Sequence, residues 1–168
     1  MPAVRQSSDR DAIADALARY CRGIDRIDAE LIASAFHPDA IDEHSYVTLK
    51  GSEVAPYMVD RMQTAFKSTL HCLLQSAIDL DGDQAHVETY YVAWLVRDQN
   101  GVEVVDQAAG RYVDRFEQRE GDWRIAHRVV LPEVAVRLRG EGSPQLVGYV
   151  ADRPQRSRDD VSYRRPLA

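Results

Sequence analysis

The chain has 168 residues, of which 45% are hydrophobic and 29% charged, and a formal net charge of −6. This is one domain of ordinary globular composition, long enough to bury about 70% of its unfolded surface without a disulfide or metal staple. The charge is uneven: residues 137–168 hold seven arginines against four acids, which leaves −9 on residues 1–136, and so acidic a body excludes a nucleic-acid module built on a basic stripe.

No apolar run approaches the ~18 residues of a membrane span, so no membrane partner is expected. The start, MPAVRQSSDRD, lacks the apolar core of a signal peptide. The expectation is a cytoplasmic protein in which Cys21 and Cys72 stay reduced.

In chain order, residues 8–26 place Ile13, Leu17, Tyr20, Cys21 and Ile24 at three- and four-residue spacing, one face of an amphipathic helix. Ser8 or Asp9 is positioned to cap it. Asp28 caps a second helix, AELIASAF, which stops before Pro38. His37-Pro38-Asp39 reads as a turn and residues 40–49 as a strand. Gly51 and Ser52 open a third helix with Val54, Met58, Met62 and Phe66 spaced at four.

Beyond it the period changes. Residues 69–80 and 84–97 read as strands divided by Asp81-Gly82-Asp83. Asn100-Gly101 is a hairpin signal, and residues 102–117 form another strand with a bulge at Gly110. After Glu120-Gly121-Asp122 a last strand, WRIAHRVVLPEVAVRL, follows. Three helices and then four long hairpin-linked strands make an α+β domain with a curved antiparallel sheet over residues 1–139. Residues 140–168 read as an extended C-terminal tail whose arginines pair with acids of the same or a neighbouring subunit.

Motifs for cofactors are missing. No glycine-rich phosphate loop precedes a helix, no G-x-S-x-G occurs, and neither cysteine has a C-x-x-C partner. The five histidines (37, 44, 71, 86, 127) lack zinc-site spacing. No metal and no cofactor are expected, so any chemistry falls to side chains.

The strings ARYCRGIDRID, AFHPDA, TLH at 69–71, IDLDGDQAHVETY and GRYVDRFEQREGDWRIAHRVV occur in this order over residues 10–131. Together they resemble the SnoaL-like branch of the nuclear transport factor 2-like superfamily. The resemblance implies a cone: a strongly curved antiparallel sheet, closed by three N-terminal helices, around an apolar cavity. Members include cofactor-free lyases (scytalone dehydratase, bile-acid 7α-dehydratase and hexachlorocyclohexane dehydrochlorinase) that share a cavity Asp on the first helix and a His on the first long strand. Asp25 and His71 match these two. Tyr20 stands five residues before Asp25, as does a catalytic Tyr of the bile-acid enzyme. His44 falls where the scytalone enzyme has a pocket Tyr. A second polar group that both dehydratases carry on the next strand is replaced here near Trp94.

The pairing has a chemical reason. A neutral imidazole accepts protons near neutral pH, and a carboxylate on its far nitrogen fixes the tautomer and stabilises the imidazolium. Asp25, His71, Tyr20 and His44 are therefore the candidate catalytic residues. Tyr46, Tyr90, Trp94, Tyr112, Phe116 and His127 are candidates for lining the substrate cavity. His127 shares a face with Trp123 and Ile125 by alternation, whereas Arg128 is read as a sheet-surface residue and His86 as exposed.

The function implied is a cofactor-independent lyase acting on a mid-sized apolar or aromatic hydroxylated molecule. Dehydration and carbon–carbon cleavage, as in formaldehyde loss from lignin-derived diarylpropanediols, both fit. An isomerase or cyclase would use the same base. The other class is a non-catalytic ligand binder or an assembly protein like the dioxygenase β-subunits. A homo-oligomer is expected, a trimer ahead of a dimer.

Overall fold

The N-terminal periodicity is realised as helix α1, Pro2–Arg26, in the computed structural model of the protein, which describes residues 2–139 and 155–164. The helix starts upstream of the Ser8 or Asp9 cap expected from sequence. Asp9 instead turns inward, where its Oδ1 accepts from Trp123 Nε1 at 3.0 Å and Gln118 Nε2 at 3.3 Å. Ile13, Leu17, Tyr20, Cys21 and Ile24 form the buried face, as the spacing predicts.

α1 ends in a sharp reversal. Ile27 adopts φ 55°, a left-handed conformation rare for a β-branched residue, and the Asp28 N–H returns to the Gly23 carbonyl at 2.8 Å. Asp28 then caps α2 (Ala29–Ser34) by accepting the N–H groups of Glu30 and Leu31, as read from sequence.

The segment after α2 departs from expectation. His37-Pro38-Asp39 is not a free turn but lies within strand β1 (Phe36–His44), held by a 2.9 Å bond from His37 Nε2 to the Glu117 carbonyl. The strand predicted over 40–49 is a hairpin, β1 with β2 (Val47–Lys50), reversing at Ser45 and Tyr46. Helix α3 (Gly51–Ala65) follows, then the long strands β3 (Ser68–Asp81), β4 (Gln84–Gln99), β5 (Val102–Arg119) and β6 (Asp122–Arg139).

The sheet has six strands in the order β2-β1-β6-β5-β4-β3. The four long strands pair antiparallel, whereas β1 runs parallel to β6. Two register shifts shape β6. Gly110 pairs with Pro132 and Ala109 with Val134, so the extra residue is Glu133, opposite the glycine. A Cβ on Gly110 would overlap the Leu131 carbonyl, which explains the glycine. At the second shift Phe116 pairs with Ile125 and Arg115 with His127, leaving Ala126 unpaired.

The helices cover one face of the sheet, and the core lies between them, from Ile13 and Leu17 through Phe36 and Val54 to Phe116, Trp123 and Ile125. Residues 155–164 pack across the helix ends. Arg158 bonds Asp28 and Glu30, Tyr163 donates to Asp28 at 2.8 Å, and Arg156 donates to the Met62 and Phe66 carbonyls at 3.0 and 2.5 Å. Part of the expected extended tail is thus a docked segment with one 3-10 turn, Val161–Tyr163. The remainder of that tail, 140–154 and 165–168, lies outside the described residues. No helix among the described residues is long and apolar enough to cross a membrane.

Candidate active site

Asp25 is delivered by the last turn of α1, and His71 by the edge strand β3 that packs on it. Asp25 is buried and accepts three hydrogen bonds. Oδ1 takes the Thr69 hydroxyl at 2.9 Å and His71 Nδ1 at 2.7 Å, while Oδ2 takes the His71 backbone N–H at 2.9 Å. A carboxylate cannot donate, so Nδ1 of His71 carries a proton, and in the neutral ring Nε2 is the nitrogen with the free lone pair. Backbone and ring are gripped by the same carboxylate, which holds the imidazole in one orientation.

The His71 ring lines a cavity of about 170 Å³. A void of ~150 Å³ is known to take up benzene, so this volume accommodates one ring. α1 contributes Tyr20 and Ile24, and the hairpin turn contributes His44, Ser45 and Tyr46. Met58, Arg61 and Met62 come from α3, and Tyr91, Ala93, Leu95, Ala108, Tyr112, Val130 and Pro132 from the sheet. Asp25 itself does not line this cavity. It faces a second cleft with Cys21, Arg22, Arg26 and Leu73, and His71 stands between the two spaces. Both cysteines are free thiols, and burial pushes that of Cys21 up to about 12, which makes it inert.

Tyr20 and Tyr112 stand edge-to-face with centroids 6.0 Å apart, and Tyr91 stacks on Tyr112 at 4.4 Å. Burial drives both the Tyr20 and Tyr112 hydroxyls well above the usual phenol value, so they stay protonated. Behind them lies Arg128, 0% exposed, its guanidinium 4.5 Å from the Tyr20 ring centroid and 4.2 Å from that of Tyr112. Arg128 Nε and Nη2 clamp the two oxygens of buried Asp114 at 2.8 and 2.7 Å. Burial opposes both charges; the bidentate contact offsets it and holds the guanidinium charged.

Of the residues singled out from sequence, Tyr20, His44, Tyr46, His71 and Tyr112 line the cavity, with Asp25 directly behind His71. Four others do not. Tyr90 and Trp94 project from the opposite face of β4, because the inward set is Thr89, Tyr91 and Ala93. Phe116 is fully buried in the core away from the cavity. His127 faces outward, where its Nε2 meets Glu43 at 2.6 Å.

The same bulge explains His127 and the misplacement of Arg128. Alternation from Trp123 and Ile125 predicts His127 inward and Arg128 outward, but the extra residue Ala126 reverses the parity. Sequence reasoning also missed Asp42, Asp114, Tyr91 and Arg61. His86 is exposed, as expected.

Comparison with known proteins gives a consistent outcome. The SnoaL-like domain family matches residues 5–129. A hexachlorocyclohexane dehydrochlorinase (LinA, type 2) is similar at 18% identity and TM-score 0.75, over 84% of this chain and 98% of that one. Rv3472, a Mycobacterium tuberculosis protein of unknown function, is similar at 24% identity and TM-score 0.68, over 91% of this chain and 85% of that one. A putative scytalone dehydratase from Novosphingobium aromaticivorans is similar at 18% identity and TM-score 0.69, over 85% of this chain and 95% of that one. Comparison with curated proteins gives no match. With about three quarters of its length matched and the helix-covered curved sheet in place, the chain belongs to the SnoaL-like family.

Proposed function

We propose that the protein is a cofactor-independent lyase that dehydrates a small hydroxylated aromatic molecule. The observation that carries this reading is the Asp25–His71 pair, with His71 lining a mostly apolar cavity of one-ring size. His71 Nε2 removes a proton from a carbon next to a carbonyl or aromatic group, and Asp25 stabilises the imidazolium that forms. The protonated hydroxyls of Tyr20 and Tyr112 are available to donate to a developing enolate oxygen. The hydroxyl on the adjacent carbon then leaves as water, and the double bond forms between the two carbons.

One ring fits the cavity that His71 lines, so a single-ring substrate is tested against the two-ring diarylpropanediols of carbon–carbon cleavage. The test is a panel of two probes. One is 4-hydroxy-4-phenylbutan-2-one, whose dehydration gives a conjugated enone followed by absorbance. The other is a 1,2-diarylpropane-1,3-diol, assayed for released formaldehyde. The expected result is turnover of the first and not the second. Binding of both without turnover of either would favour a ligand-binding role.

A further inference from the structure

Three histidine–carboxylate pairs occur among the described residues: His71–Asp25, His44–Asp42 and His127–Glu43. His127–Glu43 is half-exposed and faces away from the cavity, an ordinary surface pair. His44–Asp42 is not of that kind. Asp42 and His44 lie two residues apart on β1 and so share one face of the sheet. It is the inner face, because Asp42 registers with Arg128. Asp42 is 0% exposed, and its Oδ2 lies 3.1 Å from His44 Nε2.

We propose that Asp42 and His44 form a second proton-handling pair, so that the reaction uses two histidines. His71 takes the carbon-bound proton and His44 delivers a proton to the departing hydroxyl. This rests on the lyase reading above and extends it.

Three observations support it. Asp42 Oδ1 is buried with no hydrogen-bond partner among the described residues. The nearest cation by register, Arg128, has committed Nε and Nη2 to Asp114, and its Nη1 bonds nothing among the described residues. A half-satisfied buried carboxylate is costly unless a donor faces it, and the His44 ring, 3.1 Å from Oδ2, is the side chain placed to be that donor. Second, with Nε2 held by Asp42, the Nδ1 edge of His44 remains free, as Nε2 does on His71, and both rings line the same cavity. Third, the sheet order places β1 and β3 toward opposite ends of the sheet, and its curl brings both strands to one cavity. The two histidines therefore approach the ligand from different walls.

The step balances without a co-reactant. The C–H bond breaks to His71 Nε2, the double bond forms, and the C–O bond breaks. The oxygen leaves as water with the proton of the His44 imidazolium. Exchange with solvent then restores both rings. A single histidine would have to take and return the proton on one side of the substrate; two on different walls give anti elimination. His44 is the catalytic residue here and Asp42 its positioning residue.

The probe is 4-hydroxy-4-phenylbutan-2-one in D₂O. His44→Gln is expected to slow dehydration by about 100-fold or more while still exchanging the probe's C3 protons. Asp42→Asn is expected to lower kcat with KM within about twofold, and His71→Gln to lose both exchange and dehydration. Dehydration by His44→Gln within threefold of wild type, with His71→Gln inactive, overturns the two-histidine assignment alone. Full activity in His71→Gln instead overturns the assignment of His71 as the base, and absence of turnover by the wild type overturns the lyase reading. A measurement independent of turnover is nitrogen-15 NMR of labelled histidines at neutral pH. The expected result is a His44 Nε2 proton locked against Asp42 and released in Asp42→Asn. A freely averaging tautomer that ignores that substitution overturns the proposal.

Discussion

Asp25 holds His71 by two atoms at once, the backbone N–H at 2.9 Å and the ring Nδ1 at 2.7 Å. Helix end and edge strand are thereby locked together at the point where the imidazole meets the cavity. The grip accounts for an acid near the C-terminal end of a helix, a position the dipole disfavours. Its three donors, including Thr69 Oγ1, supply the compensation.

Asp25→Asn tests that relationship. The amide has one acceptor oxygen for three donors and a competing N–H₂, so it can turn the ring to the wrong tautomer. Turnover of a working substrate is expected to fall by about 10²- to 10⁴-fold with the fold intact by circular dichroism. Asn at wild-type rate would show that the carboxylate does not orient the base.

Arg128→Met tests the buried pair behind the tyrosines. It strands Asp114, fully buried, without its partner. Loss of one member of such a pair costs about 3–5 kcal/mol, read as a lower midpoint in urea unfolding. Replacing both, Arg128→Met with Asp114→Leu, is expected to recover much of the loss. A single variant as stable as wild type contradicts the geometry.

Asp28 links stability to pH through the docked segment. Burial raises its pKa, but bonds from Arg158, Tyr163 and the Leu31 N–H outweigh this and bring it from 3.8 down to about 2. The folded value lies below the unfolded one, so the contribution is full above about pH 4 and is lost as pH falls toward 2. After solvent screening the effect is about 1 kcal/mol. Unfolding midpoints measured between pH 5 and 2 are expected to fall more steeply for wild type than for Asp28→Asn. Parallel profiles would show that Asp28 is not so held.

The homo-oligomer, trimer ahead of dimer, is a proposal with a defined surface. Leu70, Trp94, Gln107 and Val136 stand in one row across the sheet face away from the helices, beside a row containing Val105 and Leu138. Leu70, Val134, Val136 and Leu138 are exposed, and contiguous apolar patches mark association sites. Light scattering is expected to give three chains, and Leu70→Glu to lower that number. A 19.0 kDa species at micromolar concentration contradicts it.

Much of the fold was legible in the sequence because periodicity survives where elements are long. The buried stripe of α1, the Asp28 cap and the four strands around Asn100-Gly101 and its two companion turns follow from spacing alone. Asp25 and His71 are 46 residues apart, and only the family resemblance joined them; no local pattern does. Arg128 was illegible for a physical reason: the single unpaired Ala126 reverses alternation, and bulges carry no composition signal there. Consecutive aromatics hid the parity of β4, since Tyr90 and Tyr91 are equally good strand residues and only the latter faces inward. The reversal at Ser45 and Tyr46 lacks the positive-φ glycine that marks the other three hairpins at Gly82, Gly101 and Gly121.

The most direct test of the account is the turnover of 4-hydroxy-4-phenylbutan-2-one by His71→Ala, measured beside wild type at equal concentration and with assembly checked by light scattering. The account predicts a loss of about 10²- to 10⁴-fold or more, not deepened by adding Asp25→Asn, because the two residues act as a unit. A folded His71→Ala protein that dehydrates the probe at the wild-type rate would contradict it.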